Sequence, residues 1–171
     1  HWFIGGSSVS GGWQGTTGPS STAPDGRPWG SRVPFVTIRD QVAAEAALAD
    51  RLGISAWAAV LGGSMGGMRA LEWAVTYPER VRRCIVLACS AYATAEQIAW
   101  CQPQLLAIRQ DPDFAGGDYY NLPRGPDLAL GVARRLAPVT YRSEPQLDAR
   151  LARAAQADDQ PLGEGGRYAV E

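Results

Sequence analysis

The chain has 171 residues, which is enough for one ordinary domain with a single core and too few for two full domains. Its 16 basic residues, all of them arginine, nearly balance its 17 acidic residues, so neither a nucleic-acid-binding surface nor an acidic tail is expected. No apolar stretch reaches the roughly 20 residues that cross a bilayer, and the first residues lack the pattern of a secretory signal.

The predicted elements begin with a short apolar stretch, residues 2–6, that is typical of a core strand. Residues 5–34 are rich in glycine and proline and predict a long structured loop, because the tryptophans within it need a surface to pack against. A helix is predicted to begin at Thr37, with Asp40 in its first turn, and to end at Gly53.

A βαβ unit is predicted next. Residues 54–63 are small, β-branched or aromatic, which is typical of a strand buried on both faces in a parallel sheet. A helix is predicted over 66–76, where a Tyr-Pro pair ends it, and a second strand over 81–91. Because such units are almost always right-handed, the first half predicts a mostly parallel, doubly wound α/β sheet.

The second half of the chain has a different character, since no strand pattern returns after residue 93. Three helical stretches are predicted instead, over residues 94–109, 126–137 and 143–157. These helices are short and need a surface to cover. We therefore expect residues 94–171 to form a helical cap inserted into the domain whose core is residues 1–93.

The cysteines indicate the compartment. Cys84, Cys89 and Cys101 are odd in number and show no CxxC spacing, which disfavours disulfides and a zinc site. This usage is typical of a protein in a reducing cytoplasm. We expect all three to be buried as small hydrophobic side chains.

The motif Gly62-Gly63-Ser64-Met65-Gly66 matches G-x-S-x-G in the strand-turn-helix context that a nucleophile elbow requires. In such a turn a strained backbone lifts the serine hydroxyl clear of the sheet, and glycines on either side, Gly62 and Gly66, avoid collisions between strand and helix. The Met65 amide, at the helix N-terminus, is placed to stabilise an oxyanion. The alternative is a glycine-rich turn that binds a phosphate or simply packs tightly. The spacing excludes the dinucleotide-binding G-x-G-x-x-G pattern and the P-loop.

A serine nucleophile needs an adjacent base, usually a histidine oriented by a carboxylate. The only histidine of the chain is His1. In this fold the triad follows the order serine, acid, histidine, so His1 is a poor candidate and no histidine follows Ser64. The sequence therefore predicts a nucleophile whose base is not in this chain.

Five stretches in a fixed order carry a resemblance to a known family: GGWQGTTGPSS, LGGSMGGMRALEWAV, DPDFAGGDY, ARRLAPVTYRSE and GGRYAV. Together they resemble the middle of the homoserine O-acetyltransferases of methionine biosynthesis, which are enzymes of the α/β-hydrolase fold. The resemblance runs from end to end of the chain.

This resemblance implies a ping-pong transfer of an acetyl group from acetyl-CoA, through the serine, to the γ-hydroxyl of L-homoserine. Ser64 matches the family nucleophile and the Met65 backbone amide one oxyanion donor. Arg134 and Tyr141 match positions that contact homoserine, the arginine by pairing with its carboxylate. Acetyl-CoA enters as a co-substrate, with no bound cofactor and no metal, and the full-length enzyme is expected to be a homodimer.

The family takes its other oxyanion donor from a loop upstream of residue 1, and its triad acid and histidine from strands downstream of residue 171. We therefore expect a central fragment that is inactive alone. Trp13 also departs from the family, which has a small cysteine there, and the added volume would cost about 1 to 3 kcal/mol unless its neighbours adapt.

Two other functions stay open at this point. The same core could serve a homoserine or serine O-succinyltransferase or a related esterase, because the residues that select the acyl donor cannot be placed from the sequence. The missing histidine and the altered segment from Gly5 to Trp13 favour the second of these functions, a non-catalytic fragment that acts as an interaction module.

Overall fold

The computed structural model describes residues 3–12 and 15–156 of the chain. The chain divides into two compact units, His1–Ala93 and Thr94–Glu171. The predictions that concern His1, Trp13 and the GGRYAV motif fall outside the described residues.

The first helix, α1, spans Ile38–Arg51 and begins where the sequence predicts it. The Thr37 side chain accepts a hydrogen bond from the Asp40 backbone N–H, and the Asp40 carboxylate accepts one from the Thr37 N–H. This capping box satisfies two donors that the helix itself leaves free. At the other end Gly53 takes a φ of 71°, a conformation that glycine adopts without strain.

The sheet of the first unit consists of β1, Val60–Gly63, and β2, Cys84–Leu87, paired in parallel. The crossover between them is helix α2, Met65–Thr76. The predicted βαβ order is thus confirmed, but the strands are shorter than predicted. Before β1 and β2, the two chain segments form an isolated parallel bridge between Trp57 and Val81, and the Arg80 guanidinium donates to the Ser55 and Ile54 carbonyls.

Within the described part of the first unit, both helices lie on one face of the sheet. Gly62 and Val86 face α2, whereas alternate residues face away from it, as the two-residue period of a strand requires. The side chains on that other face are exposed: Leu61 by 66%, Ile85 by 45% and Leu87 by 53%. The prediction of strands buried on both faces is therefore wrong for the described residues, because a helix layer covers only one side.

The core of this unit lies between α1, α2 and the start of β1. It is formed by the fully buried Val42, Ala46 and Ala49 of α1 and by Trp73 of α2. Trp57 packs against this cluster, so both tryptophans contribute to the core. Burial of a large aromatic ring supplies the largest single hydrophobic contribution here.

The described part of the segment before α1 contains one short 3-10 helix, Gly30–Arg32, and an isolated bridge between Thr22 and Pro28, and is otherwise a loop. Residues 3–9 form no strand, contrary to the prediction from the apolar start of the chain, although the Phe3 ring stacks on Trp57 at a centroid distance of 6.4 Å. Further on, the Thr16 hydroxyl donates to the Val9 carbonyl and the Ser21 hydroxyl accepts from the Gly18 N–H, and these bonds satisfy backbone groups within the loop.

The second unit is helical, with α3 at Ala95–Gln110, α4 at Asp127–Tyr141 and α5 at Glu144–Arg150. Helix α4 runs four residues past its predicted end, because Pro138 removes one backbone donor without breaking this helix. Helix α5 ends earlier than predicted and Ala152 follows with a φ of 42°. No helix among the described residues is both long and apolar enough to cross a membrane.

The prediction that the cysteines are buried is wrong. Cys84 and Cys101 are exposed, Cys89 is half-buried, and all three are free thiols. Cys101 lies on α3, none of whose residues is buried, and Cys84 lies at the first position of β2, where its thiol donates to the Ala70 carbonyl of α2 but stays exposed. The number and spacing of the cysteines predicted free thiols, but they did not predict how exposed those thiols are.

Hydrogen bonds to the Glu72 carboxylate of α2, from Thr76 and from Arg39 of α1, make a small part of the stability of this unit sensitive to acid. The Arg39 Nε donates to Glu72 Oε1 at 2.7 Å, and the Thr76 hydroxyl donates to the same carboxylate. The hydrogen bond from Thr76 and the contact with Arg39 hold the pKa of Glu72 below its ordinary value of 4.5. The unfolded chain therefore takes up this proton first as the pH falls.

We expect this contribution to stability to be complete above pH 4.5 and to be lost as the pH falls through the lower pKa of the folded state. Glu72→Gln should remove that part of the acid dependence, measured as urea unfolding free energy at pH 7 and pH 3. Glu79→Gln is the matched control, because Glu79 is exposed and makes no ion pair within the described residues. An equal loss on acidification in both variants would contradict the assignment.

Candidate active site

The proposed nucleophile lies at the sharp turn between β1 and α2. Ser64 has φ 54° and ψ −124°, a conformation that non-glycine residues rarely adopt and that stores about 1 to 3 kcal/mol of strain. Its N–H donates to the Leu87 carbonyl at 3.0 Å, and its carbonyl accepts from the Gly67 and Met68 amides. These bonds fix the turn to β2 on one side and to α2 on the other.

The Ser64 side chain is exposed and makes no hydrogen bond within the described residues. It stands at the carboxyl end of β1, the edge of a parallel sheet where ligands bind in α/β proteins. The strand-turn-helix geometry that the motif predicts is therefore present, and the hydroxyl is accessible. Its catalytic role remains a prediction.

The glycines around the serine differ sharply in the space that they leave for a Cβ atom. A Cβ on Gly62 would overlap the carbonyl group of Gly66 and come within 2.8 Å of the Gly67 nitrogen. A Cβ on Gly66, in contrast, would meet nothing within 4 Å, so the prediction that this glycine prevents a collision is wrong. The second crowded position is Gly67, where a Cβ would lie 2.7 Å from that of Cys89.

The sequence analysis missed Gly67 because its crowding comes from β2. Cys89 follows that strand, and the register that brings it over α2 is not visible in the motif itself. The only signal was a second glycine pair after the serine, which the G-x-S-x-G pattern does not include.

Met65 is the first residue of α2, so its N–H is one of the amides that the helix leaves without an internal partner. Within the described residues this N–H makes no hydrogen bond. The residue is 40% exposed. A free amide at a helix N-terminus carries partial positive charge and can bind an anion beside the serine.

Arg134 and Tyr141 lie in the other unit, both on α4. They are seven residues, or two helical turns, apart and therefore share one side of the helix. Arg134 is exposed and has no hydrogen bond or ion pair within the described residues, whereas Tyr141 is 65% exposed and lies beneath the Arg142 guanidinium. The structure thus groups the four predicted site residues as two pairs, one in each unit.

None of the described residues is a histidine, the base that most often activates a serine nucleophile. They also contain no cluster of three or more histidine, cysteine or carboxylate side chains of the kind that holds a metal ion. The chemistry that the described residues can supply is therefore an exposed serine hydroxyl and an adjacent amide donor.

One polar network behind the elbow was not anticipated from the sequence. Arg69, on α2, forms an ion pair with Glu45 of α1 and donates to the Ser7 hydroxyl at 2.6 Å. Glu45 also accepts from Ser7 at 2.8 Å and from the Trp73 indole N–H at 2.6 Å. Burial lowers the pKa of the Arg69 guanidinium from its ordinary value.

This network lines a cavity of about 380 Å³ between α1, α2 and β1. Its remaining walls are mostly apolar and include Trp57 and Leu48. An arginine inside a helical repeat of apolar residues was the only sequence signal, and its partners lie 62 and 24 residues away in the chain.

Comparisons with known proteins agree with this architecture. The sequence model of the α/β hydrolase fold family matches residues 13–170. The homoserine O-acetyltransferase of Thermobifida fusca (strain YX) is 60% identical over 171 residues, which cover 99% of this chain and 45% of the relative. The chain thus spans less than half the length of the curated relatives that it matches.

Two solved structures are similar to this chain. The homoserine O-acetyltransferase from Bacillus anthracis matches with a TM-score of 0.76 and 28% identity, over 91% of this chain and 42% of that chain. Esterase E22 matches with a TM-score of 0.75 and 32% identity, over 91% of this chain and 43% of that chain. These likenesses confirm the α/β-hydrolase fold that the sequence predicts.

Proposed function

Because the chain belongs to the α/β hydrolase fold family, we propose that it is the nucleophile-bearing part of a homoserine O-acetyltransferase. The observation that carries the proposal is the strained conformation of Ser64 at the carboxyl end of a parallel strand. Its support from outside the structure is 60% identity to an enzyme of that name.

In the first half of the reaction the Ser64 oxygen attacks the thioester carbonyl of acetyl-CoA. A base supplied from outside the described residues takes the hydroxyl proton, and the carbonyl oxygen gains the negative charge. The carbon–sulfur bond then breaks, coenzyme A leaves as its thiol after taking up the proton, and an acetyl-serine ester remains.

In the second half the γ-hydroxyl of L-homoserine attacks that ester. The same base takes the hydroxyl proton, the bond between the Ser64 oxygen and the acetyl carbon breaks, and the proton returns to the serine. The product is O-acetyl-L-homoserine, and the free serine is restored.

Met65 contributes through its backbone. Both halves pass through a tetrahedral oxyanion, and the free amide of Met65 is a donor that needs no reorganisation when the charge develops. One such donor is typically worth about 100- to 1,000-fold in kcat. The strain at Ser64 serves the same end, because it holds hydroxyl and amide at one turn.

Arg134 and Tyr141 are proposed to bind homoserine. The planar guanidinium of an arginine pairs with a carboxylate through two parallel hydrogen bonds. Arg134 is exposed on α4 and forms no ion pair with a carboxylate among the described residues. A tyrosine two turns further along the same helix side offers a hydroxyl for the rest of the substrate.

The full-length enzyme is proposed to be a cytoplasmic homodimer. Free cysteines suit a reducing compartment. Apolar side chains on the second unit's helices are exposed to solvent, with Leu128 at 87% and Ile98 at 52%, and such surfaces favour association.

An esterase is the second candidate, favoured by the likeness to esterase E22 at 32% identity. An esterase forms the same acyl-serine intermediate and differs only in using water as the acceptor. The acceptor, rather than the nucleophile, therefore separates the two functions.

The test is a graft in which this chain replaces the matching segment of the Thermobifida fusca relative. The purified graft is given acetyl-CoA with homoserine, succinyl-CoA with homoserine, and p-nitrophenyl acetate alone. We expect O-acetylhomoserine as the main product and little turnover of succinyl-CoA. Hydrolysis without transfer would favour the esterase, and a folded but inactive graft beside an active parent enzyme would overturn both functions.

A further inference from the structure

The Arg69 network lies directly behind the elbow helix. Arg69 is four residues, or about one helical turn, after Met65, which begins α2. The residue is only 9% exposed, so its charge is largely removed from water. A charge in such a place is costly unless it is paired and hydrogen-bonded.

Each partner of Arg69 belongs to a different part of the first unit. Glu45 lies on α1, and Ser7 lies in the loop that precedes the helix. Glu45 is itself held from two further directions, by the Ser7 hydroxyl on one oxygen and the Trp73 indole on the other. The guanidinium therefore joins the first turns of α2 both to α1 and to the loop that precedes α1.

We infer that Arg69 is a positioning residue for the acyl-transfer site, because its bonds to Glu45 and Ser7 hold the N-terminal turn of α2, and with it Ser64 and the Met65 amide, in reacting geometry. This inference rests on the proposed function. Arg69 does not touch the reacting atoms and acts only through α2. A helix is rigid over one turn, so a shift at Arg69 moves the elbow as well.

Misplacement of reacting groups by about 1 Å can cost about 100-fold in rate. Both contacts come from one terminal nitrogen of Arg69, Nη2, so a lysine ammonium, which is a point charge, can make part of this connection but lacks the reach and shape of the guanidinium. The close backbone contact at Gly62 fixes how near α2 lies to β1. The bonds of Arg69 therefore resist rotation of α2 about the contact at Gly62.

A second ion pair between the same two helices provides a matched control. Arg39 pairs with Glu72 at 2.7 Å, but its side chain is 73% exposed and its partner lies eight residues after Ser64. Exposed pairs contribute little to stability. Loss of this pair removes a bond between α1 and α2 without releasing the first turn of α2.

The experiment uses the graft described above and measures turnover of p-nitrophenyl acetate. We expect Arg69→Met to lower kcat by roughly 10- to 100-fold with KM changed less than about twofold, because the group binds no substrate. Arg69→Lys should recover part of kcat. Arg39→Met should retain the parent kcat.

A destabilised control separates positioning from stability. Val42→Ala removes buried methyl groups from the core of α1 without taking away any hydrogen-bonding group of the network, and should lower the melting temperature while retaining kcat in the folded state. If Arg69→Met does not fold, the double variant Arg69→Met with Glu45→Met removes the unpaired charge and takes its place.

The outcomes are distinct. A folded graft that cannot be acylated defeats the proposed function. An active graft in which Arg69→Met, or the double variant, retains the parent kcat overturns this inference alone. So does a kcat loss of the same size in Val42→Ala. A kcat loss confined to the Arg69 variants, with partial recovery in Arg69→Lys, supports it.

Discussion

Ser64→Ala in the graft is expected to lower kcat for acetyl transfer by about a millionfold, the scale on which removal of a serine nucleophile acts in enzymes of this kind. The reason is chemical, since no other oxygen at the elbow can form the acyl ester. The measurement is O-acetylhomoserine formation at saturating substrates, with intact-protein mass spectrometry after a brief exposure to acetyl-CoA.

The same substitution should leave the fold in place. The Ser64 hydroxyl has no hydrogen bond within the described residues, and alanine can take the same backbone bonds to Leu87 and Gly67. We expect a change in unfolding free energy within about 0.5 kcal/mol. Activity and stability are therefore separable at this position.

Ser55→Ala is the matched control. Ser55 is an exposed serine ahead of β1, at the opposite end of the strand from the elbow. This variant should retain both the parent rate and the acetyl adduct. An acetyl adduct that persists in Ser64→Ala would show that another residue is the nucleophile.

Two features of the site were predictable because their causes are local in the chain. Thr37 and Asp40 are three residues apart, and their capping box needs no other part of the protein. The elbow is likewise a run of five residues whose strain and free amide follow from a strand that passes directly into a helix. Patterns of this length are visible in a sequence without any tertiary information.

The features that were missed depend on contacts between distant residues. The crowding of Gly67 is caused by Cys89, which lies 22 positions later, just after the neighbouring strand. The partners of Arg69 lie on α1 and in the first loop. Exposure of the strands depends on which face carries helices, and no local pattern contains that information.

The two residues proposed to bind the substrate were predicted neither from a local pattern nor from contacts between distant residues. Arg134 and Tyr141 were assigned by resemblance, and an exposed arginine and tyrosine on a helix carry no signal of their own. Their positions two turns apart on α4 are compatible with one ligand. Their role stays a prediction that the graft can test with alanine variants.

Gly62→Ala is expected to be the most damaging single-methyl change in the first unit. Its Cβ would overlap the backbone carbonyl of Gly66, which cannot rotate away as a side chain can. Overpacking of a side chain typically costs about 1 to 3 kcal/mol, and a collision with backbone lies at or above the upper end. Against a total stability of about 5 to 15 kcal/mol, such a loss threatens the folded state itself.

Gly66→Ala adds the same methyl group on the other side of that contact, but we expect it not to destabilise the protein. Its Cβ meets nothing within 4 Å, and the residue lies in α2, where alanine is favoured over glycine by up to about 1 kcal/mol. The unfolding free energy measured with urea should therefore fall by at least about 3 kcal/mol in Gly62→Ala. It should stay the same or rise in Gly66→Ala.

The pair of variants tests the elbow without any catalysis. If strand and helix cross at the closeness that the Gly62 contact requires, the two methyl groups must have opposite effects, because only one of them points into the gap. Equal losses of unfolding free energy in the two variants would mean that the backbone at Ser64 has a different conformation. The serine would then lack the strained turn on which nucleophilic attack depends.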